Sequence, residues 1–344
     1  MNKPRVTVLM PAYNAEKYIK QSIDSILNQS FLDFLFLIID DGSSDGTENI
    51  IRSYNDRRIC FVKNETNIGI KETLNKGVMI SDTEYIARMD ADDIALPKRL
   101  EWQLEYMDSN KDIGVSGGHF EFFGHETSIV KMPMKDNEIK AKLFFFSGFC
   151  HPTVIMRTEV LKKNNFLYGN LVNFNDNFGH KILELEDFAL WHKLKHVTQF
   201  GNVDKVLIKY RKEGQNISAK NIKIVHDRKK VIYYYLLNEI GISASNEEEV
   251  MFLYTLQYFK DDPKIENIKK YKQFLKILLE VNKQSGVYSD EQFEVAVNRI
   301  WEQFFYFLTT FSLKYVLNYW KVSRRIQSNQ LLYYVKYKLK YGLN

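Results

Sequence analysis

The first hundred residues alternate short apolar runs with longer segments in which apolar residues recur every three to four positions. The short runs predict strands and the longer segments predict amphipathic helices. We predict strands near 5–10, 34–40, 59–63 and 84–89, and helices near 15–29, 46–55, 69–80 and 97–108. This alternation is typical of βαβ units, so the expected fold class is α/β with a mostly parallel sheet flanked by helices.

The pattern changes twice in the remaining chain. From residue 113 to about 210 it is mixed, with strands predicted at 113–121, 127–132, 153–156 and 203–210 and helices near 136–145 and 187–197. After Ser218 it is almost wholly helical, with segments near 221–240, 246–260, 264–284, 290–310 and 313–340. We therefore predict an α/β domain over 1–218 and an all-helical region over 219–344.

Polar residues follow three of the early strands. Pro11-Ala12-Tyr13-Asn14 follow the first, Asp40-Asp41-Gly42-Ser43 the second, and Asp90-Ala91-Asp92-Asp93 the fourth. In open α/β sheets ligands bind beyond the carboxyl ends of the strands, so the three loops are expected to share one crevice. Crowded carboxylates repel one another unless a cation lies between them. A solvated acidic turn is the alternative, but the repeated acidic strand ends favour Mg²⁺ or Mn²⁺ with a diphosphate.

Composition narrows the protein class. The chain has 344 residues, 45% of them hydrophobic, enough for a large core. Two cysteines are too few for a disulfide framework, and the apolar run before Pro11 is too short for a signal peptide. No run of uncharged apolar residues is long enough to span a membrane. The expected location is the cytoplasm.

The C-terminal region has its own charge pattern. Residues 303–344 contain seven Lys or Arg, no Asp or Glu, and twelve aromatic residues. The aromatics that suggested a surface role include Phe304, Phe305, Phe307, Trp320, Tyr333, Tyr334 and Tyr337. This composition suits peripheral association with an anionic inner membrane face, and an aromatic interface between copies of the chain is the main alternative. We expect no nucleic-acid partner.

Six short motifs, in this order and spacing, resemble the family-2 inverting glycosyltransferases of the GT-A fold over roughly residues 5–218. The motifs are Val8 to Asn14, Ile39 to Asp45, Asn67-Ile68-Gly69, Arg88 to Asp93, Pro97 to Leu100, and Glu184 to Trp191. Each is weak by itself, and together they are specific.

The resemblance implies a donor site for a nucleotide sugar. Its loop residues Pro11, Ala12 and Tyr13, with Asp41, would frame the base. A carboxylate in the base plane can accept the imino N–H of uracil, which favours a UDP-sugar. Asp90 would face the ribose and Asp92 would bind the divalent metal. The other donor-site positions carried over are Asn14, Ser43, Gly69, Arg88 and Ala91.

The resemblance makes Asp187 the catalytic base. A positioned carboxylate would take the proton from an acceptor hydroxyl as that oxygen attacks the anomeric carbon, giving inversion. Glu186 would orient the acceptor. A purely structural interpretation is that these acids favour a helix N-terminus. Trp191 and His151 are further candidates near the acceptor, and His151 could equally be a core or turn residue.

Two positions depart from simple expectation. Where the family often has His, this chain has Glu213, a plausible oxygen ligand, while Arg211 or Lys212 could reach the diphosphate from a loop. His192 and His196 have an i,i+4 spacing that could suggest zinc, although no third ligand has convincing spacing. We interpret them as packing or exposed histidines.

The predicted activity is metal-dependent, inverting transfer of a hexose or N-acetylhexosamine to a glycan acceptor, and the expected acceptor is a lipid-linked surface-polysaccharide intermediate. A nucleotidyltransferase also uses acidic strand ends, but the first loop lacks the Gly- and Lys-rich sequence a triphosphate needs. A catalytically degenerate nucleotide-binding scaffold is the other alternative, and it rests on Glu213.

Overall fold

The computed structural model describes most of the chain. The described residues are 3–124, 127–165, 167–169, 186–212, 232–243, 264–325 and 327–341. Two compact units divide the chain, one over residues 1–228 and the other over 229–344. The predicted boundary after Ser218 and the predicted helix over 246–260 lie outside the described residues.

A nine-stranded sheet forms the centre of the first unit. Its strands are β1 (Val6–Ala12), β2 (Phe34–Asp40), β3 (Ile59–Lys63), β4 (Tyr85–Arg88), β5 (Ile94–Ala95), β6 (Ile113–Gly124), β7 (Ser128–Val130), β8 (Ile155–Arg157) and β9 (Gln199–Lys212). Their order is β3-β2-β1-β4-β8-β6-β9-β5, with β7 paired to β6. Its helices are α1 (Ile19–Leu27), α2 (Thr47–Arg52), α3 (Ile70–Ile80), α4 (Arg99–Ser109), α5 (Asp136–Leu143), α6 (Thr158–Lys163) and α7 (Glu186–Leu194).

The first four strands are parallel where they pair. Every residue of β1 is buried, because apolar residues cover both of its faces. Val8 and Met10 belong to one core and Leu9 to the other. That explains why the sequence of this strand is almost continuously apolar rather than alternating.

Antiparallel pairs enter in the second half of the sheet. β8 pairs antiparallel with β4 and β6, whereas β6 and β9 run parallel over a long register. The α/β fold class is confirmed, and the sheet is mixed rather than parallel throughout. β5 and α6 were not predicted, because each is too short to show a clear period.

Register brings the polar strand ends to one edge. Ala12 lies opposite Asp40, and Leu9 lies opposite Arg88. The residues that follow β1, β2 and β4 are therefore neighbours, as expected for the carboxyl edge of a parallel sheet.

The second unit is helical where it is described. Its helices are α8 (232–239), α9 (Ile265–Ser285), α10 (Asp290–Leu308), α11 (Leu313–Ser323) and α12 (Ser328–Tyr341). The single helix predicted near 313–340 is wrong, because Arg324 adopts a left-handed conformation at φ 54° and ends α11. None of the helices in the described ranges is long and apolar enough to cross a membrane.

Aromatic residues form much of the core of this unit. The rings of Trp301 and Tyr319 stack at 4.6 Å between centroids, and Phe304 and Phe305 are buried beside them. Trp320 is also largely buried. Of the aromatics predicted at a surface, Phe304, Phe305 and Trp320 are therefore core residues, whereas Tyr333 is 39% exposed.

Candidate active site

The loop around Asp41 is tightly hydrogen-bonded. The carboxylate of Asp41 accepts from the backbone N–H groups of Ile68 at 3.0 Å and Gly69 at 2.9 Å, and from Asn64 Nδ2 at 2.8 Å. The Oδ2 oxygen accepts one of these bonds, so it retains capacity for another donor. This carboxylate ties the end of β2 to the residues that open α3.

Gly42 makes that connection possible. Its φ is +73°, and a Cβ at this position would lie 2.7 Å from the backbone carbonyl carbon of Thr66. A side chain is therefore excluded both by conformation and by contact with rigid backbone. Gly69, with φ +90°, precedes α3 and leaves its N–H aimed at Asp41.

The loop after β1 is bonded to the same region. Asn14 donates its backbone N–H to Ser43 Oγ at 2.9 Å and accepts from the N–H of Ser44 at 2.9 Å through its side chain. Tyr13 is exposed beside it, while Pro11 and Ala12 are buried in β1. The predicted base-binding residues are thus brought together, with the Tyr13 ring accessible to a ligand.

Three carboxylates form a cluster after β4. One oxygen from each of Asp90, Asp92 and Asp93 lies within 4.8 Å of the others, and this is the group of potential metal ligands found among the described residues. Asp93 Oδ2 is buried without a hydrogen-bond partner in that part of the chain. An oxygen-only set with an unsatisfied buried oxygen fits a hard divalent cation. Ala91 is the buried residue between the ligands.

Local packing fixes this cluster. Ser22 Oγ on α1 donates to the Asp93 carbonyl at 2.7 Å, and Ser25 Oγ accepts from the N–H of Ala95 at 3.0 Å. The N–H of Arg211 donates to Asp93 Oδ1 at 2.8 Å. These hydrogen bonds fix the backbone of the acidic loop and so hold the carboxylates close together.

Arg88 is the buried cation of the site. It is 5% exposed, pairs with Asp90, and has two further buried nitrogens, Nε and Nη1, without hydrogen-bond partners in the described residues. Burial is the largest influence and lowers the pKa of Arg88, but the charge and hydrogen bond of Asp90, together with the charges of Tyr168 and Asp93, raise the pKa overall. Arg88 thus places a buried positive charge beside the three carboxylates, and Arg211 adds a second positive charge near Asp92.

The remaining excess of negative charge appears in the pKa values. Burial, followed by the charge of Asp90, raises the pKa of Asp92 to about 6. Burial and then Asp90 and Asp92 raise the pKa of Asp93 well above its usual range. A bound cation would reverse this penalty, because it favours the ionised carboxylates.

Helix α7 begins at the predicted catalytic pair. Glu186 is buried, while Asp187 is partly exposed and accepts a 2.7 Å hydrogen bond from the N–H of Phe188. Burial raises the pKa of both, that of Glu186 to about 7, and Arg88 opposes both shifts. Arg88 and Asp90 act on both acids, so the start of α7 belongs to the same electrostatic site as the cluster.

Tyr168 is a site residue that sequence analysis did not identify. Its hydroxyl lies 3.2 Å from His151 Nε2, and its backbone is held by Asn75 at 2.7 Å. Burial raises the pKa of Tyr168, and Arg88 and Asp187 are among the charges that act on it. Nothing in the local sequence marks this tyrosine, since the contact depends on chain segments far apart.

The predicted acceptor residues have different positions. Trp191 is fully buried against Phe149 at 5.2 Å, so its predicted acceptor contact is replaced by a core position. His151 is partly exposed, and burial, then the charge of Arg88, holds its pKa well below the usual range. His192 is buried and His196 exposed, so they do not form one metal site.

Arg211 lies in β9 rather than in a loop. Its Nε donates to the Asp92 carbonyl at 2.8 Å and its Nη2 to Gln21 Oε1 at 2.9 Å. Its guanidinium also lies 4.1 Å from the centre of the Tyr18 ring. The expected loop position is therefore corrected: Arg211 lies within a strand and supports the acidic loop. Glu213 lies outside the described residues.

Known proteins are similar to this chain in sequence. The sequence profile named glycosyl transferase family 2 matches residues 7–164. An uncharacterised glycosyltransferase of Methanocaldococcus jannaschii is 36% identical over 246 residues, covering 69% of this chain and 79% of its own. The Escherichia coli protein WfgD, named a UDP-Glc:α-D-GlcNAc-diphosphoundecaprenol β-1,3-glucosyltransferase, is 28% identical over 249 residues, covering 69% and 92%.

The fold is also similar to that of a solved structure. Staphylococcus aureus TarS 1–349, crystallised with UDP-GlcNAc, matches with a TM-score of 0.57 and 18% identity, covering 80% of this chain and 81% of that one. The GT-A fold predicted from the motifs is therefore confirmed. The match to the family profile and the 36% identical relative show that the chain belongs to glycosyltransferase family 2.

Proposed function

We propose that the protein transfers a hexose or N-acetylhexosamine from a UDP-sugar to a glycan acceptor with inversion at the anomeric carbon. The observation that carries this proposal is one buried cation, Arg88, acting on both the three-carboxylate cluster and the pair Glu186 and Asp187. A donor diphosphate and an acceptor hydroxyl need these two kinds of acid close together.

The uridine preference rests on Asp41 and its surroundings. Asp41 Oδ2 accepts one hydrogen bond and keeps capacity for the imino N–H of uracil. Exposed Tyr13 offers a ring face beside that carboxylate. UDP-Glc in the name of WfgD and UDP-GlcNAc in the TarS crystal support the same nucleotide.

Asp92, with Asp90 and Asp93, would hold Mg²⁺ or Mn²⁺. Such an ion supplies positive charge that stabilises the departing nucleoside diphosphate. The residues themselves crowd negative charge into a buried corner, and Arg88 neutralises part of it. Within the described part of the chain, Arg88 Nε and Nη1 have no hydrogen-bond partner, and guanidinium N–H groups suit phosphate oxygens.

Asp187 acts as the general base. Its carboxylate takes the acceptor hydroxyl proton as the oxygen attacks the anomeric carbon, and the bond to the nucleoside diphosphate breaks on the opposite face. The single displacement inverts the configuration. The raised pKa of Asp187 makes it a stronger base than an exposed aspartate, and Glu186 and His151 line the acceptor side.

The acceptor is a lipid-linked surface-polysaccharide intermediate. The name of WfgD specifies a sugar on diphosphoundecaprenol, and that protein matches across 92% of its length. To reach a lipid-linked acceptor, the enzyme would bind at the inner face of the cell membrane. That location agrees with the excess of basic residues in 303–344.

The test is transfer from UDP-Glc, UDP-GlcNAc, UDP-Gal and GDP-Man to a GlcNAc-diphospholipid, with product configuration read by NMR. We expect a UDP-sugar to give a product inverted at the anomeric carbon. Asp187→Asn should lower kcat by about 10²–10⁴-fold, the usual contribution of a general base, while UDP binding is kept.

Glu159→Gln is the matched control, because Glu159 is an exposed acid in the first turn of α6. It should transfer at the wild-type rate. Transfer from GDP-Man alone would contradict the uridine assignment, and an active Asp187→Asn enzyme would contradict the assignment of the base.

A further inference from the structure

Helix α12 buries two polar side chains and exposes its aliphatic ones. Gln330 and Lys338 are buried: Gln330 Oε1 accepts from Trp320 Nε1 at 3.3 Å, and Lys338 Nζ donates to the Phe311 carbonyl at 3.0 Å. Tyr334 and Tyr337 are half-buried on the same face. The aliphatic side chains point outward instead, whereas a packed amphipathic helix usually turns them inward.

The outward side chains form one stripe. Leu331, Leu332, Val335 and Leu339 are exposed by 47%, 55%, 45% and 77%. At 100° per residue these positions fall within an arc of about 100°. Scattered exposed leucines are ordinary, whereas a contiguous apolar stripe indicates a surface that binds something. We call these four residues the α12 stripe.

The charge around the stripe identifies its partner. Six basic residues of α11, α12 and the turn between them are exposed: Lys314, Lys321, Arg324, Arg325, Lys336 and Lys340. Residues 303–344 contain no acidic residue. A second copy docked through this face would bring like charges together, which is unfavourable. An anionic surface with an apolar interior satisfies both the stripe and the cations.

We infer that α12 lies in the interface of an anionic bilayer, with the α12 stripe inserted among the acyl chains and the surrounding Lys and Arg at the headgroups. The buried bonds of Gln330 and Lys338 fix which face turns outward. Binding uses α12 itself rather than the aromatic core of the unit. This inference does not depend on the transfer reaction proposed above.

The test is flotation of the full chain with vesicles of phosphatidylcholine alone or with phosphatidylglycerol. We expect binding to the anionic vesicles that weakens as salt is raised. Leu332→Asn with Leu339→Asn should lower the partition coefficient by on the order of 100-fold, since burying a leucine is worth roughly tenfold or more. Lys336→Gln with Lys340→Gln should lower it by on the order of 10-fold.

Val295→Asn is the matched control. Val295 is a 58% exposed aliphatic residue on α10 in the same unit, outside the stripe. It should bind vesicles like the wild type, and circular dichroism of every variant should match the wild type.

Three results would overturn the inference. One is wild-type protein that fails to float with anionic vesicles. Another is unchanged binding by the double leucine variant. The third is a dimer in analytical ultracentrifugation that the leucine substitutions dissociate, which would assign the stripe to a second copy.

Discussion

The Asp41 loop and the acidic cluster lie at the carboxyl edge of the same sheet, but their carboxylates are satisfied in different ways. Asp41 receives three hydrogen bonds from neighbouring donors. Within the described residues, Asp93 keeps a buried oxygen without a hydrogen-bond partner, and the pKa of Asp92 is raised to about 6, first by burial and then by Asp90. The Asp41 carboxylate is therefore held in place by neighbouring donors, whereas the cluster has an excess of negative charge.

Removal of the Arg88 guanidinium should have the largest effect on stability. Arg88→Met should lower the free energy of unfolding by about 3–5 kcal/mol at neutral pH, because it leaves Asp90 without its ion-pair partner beside buried Asp93. Urea denaturation measures the change. The loss should shrink at pH 5, where protonation relieves the repulsion.

Arg5→Met is the control for that substitution. Arg5 pairs with Glu84 and Asp108, but its side chain is 37% exposed. Exposed pairs contribute little, so we expect a loss of about 1 kcal/mol or less. Equal losses for the two variants would show that burial of Arg88 carries no special weight.

A glycine substitution in the Asp41 loop should destabilise the fold more than one at Gly286, which also has a positive φ. Gly42→Ala combines a positive φ with a Cβ 2.7 Å from backbone, and should cost about 3 kcal/mol. Gly286→Ala, at φ +66° with nothing within 4 Å, should cost only about 1 kcal/mol. Thermal unfolding compares the two, and equal losses would contradict the close approach at Thr66.

The raised pKa of Asp92 should make the stability of the protein depend on pH. The pKa of Asp92 is about 6 when folded and roughly 3.9 when unfolded. The folded state therefore holds this proton more tightly, and stability falls as pH rises from about 4 to 6, by on the order of 2 kcal/mol. Asp92→Asn should flatten the curve of stability against pH between about pH 4 and 6. An unchanged slope would show that the pKa of Asp92 is not raised in the folded state.

Trp191 should give the smallest effect. Its indole N–H is buried without a hydrogen-bond partner in the described residues, so Trp191→Phe loses packing but also removes an unsatisfied donor. We expect a stability change below about 1.5 kcal/mol and an unchanged acceptor KM. A large rise in KM would restore the predicted acceptor contact.

The sequence predicted the elements and contacts that depend on local pattern. Asp90 and Asp92 are two residues apart just after a short buried strand, so their placement could be predicted directly from the sequence. The bond from Arg211 to Asp93 joins residues 118 apart, and no local period encodes it. The break at Arg324 was missed because neither Gly nor Pro marks it. Tyr168 likewise reaches the site through tertiary packing alone.

We propose that the acidic cluster binds a divalent cation together with a uridine diphosphate. The most direct measurement is the melting temperature of the wild type and of Asp92→Ala with UDP, GDP or CMP, each with and without Mn²⁺. Asp112→Ala, at an exposed acid outside the cluster, is the control. We expect UDP with Mn²⁺ to raise the melting temperature of the wild type and of Asp112→Ala. Asp92→Ala should show no such rise. A rise of equal size in Asp92→Ala, or none with any nucleotide, would contradict this proposal.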